Sequence, residues 1–177
     1  VEEDIPALLQ SARDRELPCL VIGAHAIVSL GFVRNTLDLD LLVQEGARSG
    51  WLGLLQDLGY RFFHGVAAFA QFEPAKPDGM PIDLMFVDDA TFQKLAESAT
   101  ETDLGGVRAL IPRPEHLVAM KLHAAVSPTR TKAESDWEDI KQIVRLCGLD
   151  PKDESFRSLI LRYGGQDGLA RIERFVS

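Results

Sequence analysis

The chain has 177 residues, a formal charge of −8, and 46% apolar against 26% charged residues, the balance of a globular protein with one core and room for a helical appendage. The excess of acid excludes broad, non-specific nucleic-acid binding, which needs a basic surface. Arg108, Arg113, Lys121, Arg130 and Lys132 form one local basic stretch, and an acidic surface also suits polycationic small molecules.

No apolar run approaches the roughly 18 residues of a membrane span, and Val1-Glu2-Glu3-Asp4 is unlike the basic start of a secretory signal. Cys19 and Cys147 lie apart in apolar contexts. The expectation is a cytoplasmic protein with reduced thiols and no membrane partner.

Ile5, Leu8, Leu9 and Ala12 recur at helical spacing and predict a first helix over 4–14. Cys19 to Ile22 reads as a short buried strand running into Gly23, with a helix over 24–31 closed by Gly31. A strand, a glycine and a helix start present backbone N–H groups to an anion. A second strand is predicted over 36–43, then a helix over 47–58 ended by Gly59. Tyr60–His64 and Ala67–Phe72 read as two strands about a turn at Gly65, and Pro77-Asp78-Gly79 as a turn into a third strand, Met80–Val87. A short helix through about Glu97 and a strand pair around Gly105-Gly106 ending at Ile111 follow. The remainder reads as helices over 114–126, 134–147, 153–163 and 166–176.

The chemistry-bearing feature is Leu37-Asp38-Leu39-Asp40-Leu41. In an extended chain, side chains two apart share a face, so Asp38 and Asp40 stand together while Leu37, Leu39 and Leu41 face the other way. Paired like charges are costly to desolvate unless a cation sits between them, and Mg²⁺ is commonly held by one or two carboxylates plus substrate phosphates. A solvated edge strand is the plain alternative. Asp83 likewise interrupts an apolar strand, Ile82-Asp83-Leu84-Met85-Phe86. If the two strands pair in register, the three acids converge into a site for two metal ions suited to in-line phosphoryl transfer.

Gly23-Ala24-x-Ala26, Arg34-x-Thr36-x-Asp38-x-Asp40 and the later Asp83 together resemble the nucleotidyltransferase superfamily of polymerase β-like fold. The closest branch is the AbiEii-type toxins of type IV toxin–antitoxin systems. Pro112-x-Pro114-Glu115-x-Leu117-x-Ala119-x-Lys121 and Arg130-x-Lys132-x-x-x-Asp136-x-x-Asp139-Ile140 resemble that branch's helical motifs, and the match covers most of residues 17–147.

The resemblance implies an α+β (α/β) fold: a mixed sheet with flanking helices over residues 1–111, then a C-terminal helical region over 112–177 packed on that core. It implies transfer of a nucleoside monophosphate from an NTP, with Mg²⁺ (or Mn²⁺), to a hydroxyl acceptor. Gly23 and Ala24 would hold the triphosphate, Arg34 and Thr36 would support the site, and Asp38, Asp40 and Asp83 would bind metal, with Asp83 alternatively the base on the acceptor hydroxyl. Ala24 is a departure, because the family usually has a second Gly or a Ser there; alanine offers no hydroxyl and less room.

Lys121 falls inside the apolar stripe of its helix, so it must snorkel outward or meet an anion; the resemblance makes that anion the nucleotide. Asp136 shares a face with Ile140, Ile143 and Val144, and is assigned to the nucleotide by the same resemblance, with Asp139 ranked below it. Ser135 with Glu138 reads alternatively as a capping box, and His25 as a helix-start histidine beside the phosphate turn. The toxin-like resemblance puts RNA (a tRNA 3′ end) or protein ahead as the acceptor, with an aminoglycoside-like small molecule as the alternative that the acidic surface suits, and a cognate antitoxin as a protein partner. Two further readings are a non-catalytic nucleotide- or partner-binding member, which Ala24 favours, and a metal-dependent phosphodiesterase, for which no histidine-rich ligand set is visible.

Overall fold

The computed structural model describes residues 4–33, 35–128 and 131–176. In chain order the elements are α1 (Asp4–Asp14), β1 (Cys19–Val21), α2 (Gly23–Ser29), β2 (Leu39–Gln44), a 3₁₀ turn, α3 (Arg48–Asp57), β3 (Tyr60–Val66), β4 (Phe69–Pro74), β5 (Ile82–Val87), α4 (Asp89–Glu97), β6 (Thr100–Leu104), β7 (Val107–Ile111), α5 (Pro114–Ala125), α6 (Ala133–Leu146) and α7 (Glu154–Val176). Contacts divide the chain into two compact units. One is Val1–Ser29 with Val33–Pro112; the other is Leu30–Phe32 with Arg113–Ser177.

The first unit is built on a five-stranded mixed sheet of order β1-β2-β5-β4-β3. β2 and β5 run parallel at its centre, flanked by antiparallel β1 on one side and β4 and β3 on the other. Alternation decides the faces. Leu39, Leu41 and Val43 on β2 pair with Ile82, Leu84 and Phe86 on β5, and with Ala70 and Phe72 beyond them they form a buried face. α2 and α4 pack on β2, and α3 buries Trp51, Leu54 and Leu55. The β6–β7 hairpin turns at Gly105 and Gly106, whose φ of 65° and 89° only glycine adopts readily.

Two expectations about the strands shift. Leu37 does not join the buried face: it is 84% exposed, because β2 starts at Leu39 and residues 37–38 form a bend. The turn between β3 and β4 lies at Ala67–Ala68, while Gly65 pairs with Ala70 inside the ladder. Glycine is needed there for close approach, since a Cβ would stand 2.9 Å from the Phe69 carbonyl oxygen and 3.0 Å from the Phe62 ring. β3 is also an edge strand, which leaves Phe62 and Phe63 largely exposed.

In the second unit, α5, α6 and α7 pack on one another around Leu117, Val118, Leu122, Ile140, Ile143, Val144, Ile160 and Ile172. α7 is broken at Gly165 (φ 66°, ψ −167°), between the two helices expected over 153–163 and 166–176. Ser135 is no cap: α6 starts at Ala133 with Lys132 at the N-cap position, three residues earlier than a capping box at Ser135 requires.

α4 has a true side-chain cap. Asp88 accepts from the Thr91 backbone N–H at 2.9 Å and its hydroxyl at 2.7 Å, which hold the Asp88 carboxyl below its ordinary value. A depressed carboxyl stabilises the fold above its unfolded-state value, and that contribution is lost as pH falls through the folded value. Asp88→Ala is expected to lower the melting temperature at pH 7, with the gap to wild type closing below about pH 4; thermal melts across that range check it.

Candidate functional site

Register brings the acids together. Asp40 on β2 pairs with Asp83 on β5, so the two carboxylates stand side by side on the face of the sheet opposite the buried leucines. Both residues, and Asp38, are half-buried. Asp38 lies on the bend before β2, where the Thr36 hydroxyl donates to its backbone carbonyl at 2.9 Å and stands 3.5 Å from its Oδ1. Thr36 thus shapes the loop that presents Asp38.

Gly23 opens α2 at φ +63°, directly against Asp40. A Cβ at this position would fall 2.6 Å from the Asp40 Cγ and 2.8 Å from its Cβ. No side chain fits there. The Ile22 N–H donates to the Asp40 carbonyl at 3.0 Å, tying the end of β1 to the same residue. Ala24 follows, buried.

On the other flank, Gln71 of β4 is the register partner of Asp83, and its Nε2 donates to both carboxylate oxygens at 3.2 and 3.1 Å. The sequence offered no spacing rule that would have selected Gln71; only strand order reveals it. His25 has a buried Nε2 without a hydrogen-bond partner among the described residues. Burial pushes its imidazole below the ordinary histidine value, and the nearby Asp38 charge opposes that shift.

Arg34 and Arg130 lie outside the described residues. Gly23, Ala24, Thr36, Asp38, Asp40 and Asp83 all belong to the first unit; Lys121 and Asp136 belong to the second. Lys121 meets anions of its own protein. Its Nζ stands 2.9 Å from Asp136 Oδ1 and 2.8 Å from Asp139 Oδ2, and both aspartates are almost completely buried. Asp139, ranked below Asp136 in the sequence, is an equal member of this triad.

Among the described residues no three His, Cys, Asp or Glu side chains form a group able to hold a metal ion. The Asp40–Asp83 pair nevertheless supplies only carboxylate oxygens, the donor type a hard divalent cation takes, and such an ion commonly uses one or two protein carboxylates with substrate phosphates completing its shell. The chemistry of the pair fits that ion.

No family model matches the chain, and no curated protein matches it significantly. Solved structures do. ANT(2″)-Ia in complex with adenylyl-2″-tobramycin superposes with a TM-score of 0.67 at 18% identity, covering 98% of each chain. The lincosamide antibiotic adenylyltransferase LnuA, with lincomycin bound, gives 0.61 at 15% identity over 82% of this chain and 98% of its own. An antigenic nucleotidyltransferase-like protein from Paracoccidioides brasiliensis gives 0.59 at 14% identity, covering 97% and 91%. The fold is nucleotidyltransferase-like.

Two substitutions test this geometry. Gly23→Ala forces a positive φ and a collision with Asp40, and is expected to destabilise by at least about 1–3 kcal/mol in chemical denaturation. Lys121→Met leaves two buried carboxylates without their shared cation and is expected to cost about 3–5 kcal/mol, against under about 0.5 kcal/mol were the lysine an ordinary surface residue.

Proposed function

We propose that the chain is a metal-dependent nucleotidyltransferase that moves a nucleoside monophosphate from an NTP onto a hydroxyl of a small cationic acceptor. The observation that carries the reading is the Asp40–Asp83 register pair, set against Gly23 on a nucleotidyltransferase-like fold. In this reading Asp40 and Asp83 hold Mg²⁺ or Mn²⁺, with Asp38 at the rim, and the ion supplies charge neutralisation at the reacting phosphate. Gly23 leaves room for the Asp40 carboxylate itself, and Ala24 offers the triphosphate its backbone without a hydroxyl. Thr36 keeps Asp38 in place through the loop carbonyl.

The acceptor class rests on two supports. Two neighbours matched over 98% of their own length are solved with an adenylylated antibiotic or an antibiotic bound, and the charge of −8 suits a cationic partner better than RNA. The Megavirus polyadenylate synthase is also similar, at a TM-score of 0.61 and 11% identity, but this chain spans only 34% of it. RNA and protein acceptors, together with a toxin role and a cognate antitoxin, rest on the motif resemblance.

A second reading is a nucleotide-binding member without turnover. Ala24 and the engagement of Lys121 by Asp136 and Asp139 favour it, because both reduce what is offered to a triphosphate.

Incubation with each α-labelled NTP, Mg²⁺ and separate small-molecule, RNA and protein fractions decides between them. Label is expected in the small-molecule fraction, and Asp40→Asn or Asp83→Asn is expected to reduce it by about 10²-fold or more without loss of fold, since each relieves like-charge repulsion. NTP retained with Mg²⁺ but never turned over supports the second reading. Undiminished transfer by both variants removes the proposed centre.

A further inference from the structure

Asp83 is the acid whose orientation the backbone alone leaves loose. Register places its Cα opposite that of Asp40, but the carboxylate can still rotate about two side-chain bonds, and repulsion from Asp40 pushes it away. Asp40 occupies the space that Gly23 leaves open beside β2. Asp83 has a different constraint on the β4 side, where one nitrogen of Gln71 donates to both of its oxygens. A single donor nearly equidistant from the two carboxylate oxygens lies close to the axis of the Cβ–Cγ bond, so it sets the direction in which the group points.

Neighbouring residues on the open face of β4 do not offer this. Phe69, two residues earlier, pairs with Met85 and is apolar; Glu73, two residues later, is exposed and pairs with Arg61. Gln71 alone combines the register with a neutral donor, which steadies the carboxylate without competing with a cation for its charge.

We propose that Gln71 is a positioning residue that orients the Asp83 carboxylate toward the cation site shared with Asp40, an inference that rests on the nucleotidyl-transfer reading. Orienting partners of metal-binding carboxylates typically account for 10- to 100-fold in metal affinity or activity. Removing the Gln71 amide therefore disorders the ligand and lowers turnover, while NTP contacts elsewhere are unchanged.

Gln71→Met, with Gln71→Leu as a second variant should one not fold, is compared with wild type in two assays on the full chain. In label transfer, kcat is expected to fall about 10- to 100-fold with KM for NTP within about threefold. In titration with Mn²⁺ alone, followed by electron paramagnetic resonance of the free ion, the dissociation constant is expected to rise about tenfold or more. Glu73→Gln, on the same strand, leaves both readings unchanged. Wild-type kcat and Mn²⁺ affinity in the Gln71 variants overturn the proposal. A wild type that transfers no label, but whose Mn²⁺ affinity still falls on Gln71→Met, refutes the activity and supports the positioning role; a wild type that binds no Mn²⁺ overturns both.

Discussion

Two aspartates in lateral register on adjacent parallel strands repel one another, and the first unit is arranged around keeping them there. Parallel pairing of β2 with β5 fixes the pair, and the leucines, isoleucine and phenylalanine on the opposite face hold the register, because a one-residue slip would exchange acids for core. The penalty of the charged pair is thus borne by burial on the reverse of the same strands. From the flanks, Gly23 makes room for the Asp40 carboxylate and Gln71 donates to Asp83. The centre is built by topology.

That explains which parts were legible in the sequence. Alternation identified β2 and β5 and their buried faces, since Leu39, Leu41, Ile82 and Leu84 repeat every second residue. Glycines marked the ends of α3, the β6–β7 turn and the break at Gly165 through backbone conformations that other residues avoid. Leu37 misled because periodicity carries no information about where pairing stops. Gly65 misled for another reason: it answers to crowding from Phe69 and Phe62 across the ladder, and its sequence signature is that of a turn.

Partners across strands were the illegible part of the site. Gln71 lies 12 residues from Asp83, and nothing local distinguishes it from the exposed polar residues around it. Asp139 was underrated because helical spacing placed it beside Asp136 without revealing that one lysine from α5 reaches both. Such contacts become visible only when element order is known.

The two clusters of carboxylates are met by different groups among the described residues. In the helical unit, Asp136 and Asp139 are sunk among apolar residues and share the ammonium of Lys121. Their attraction is realised inside the fold, which is the signature of a structural ion group. In the sheet unit, Asp83 is met by a carboxamide, Asp40 by a glycine held at positive φ, and the neighbouring His25 keeps a buried ring nitrogen without a hydrogen-bond partner among the described residues. The positive φ of Gly23 and the unpartnered His25 nitrogen each carry a cost in the folded chain. Costs of that kind gather where a ligand completes the site, and in the proposed reading that ligand is a hard cation carrying phosphate oxygens.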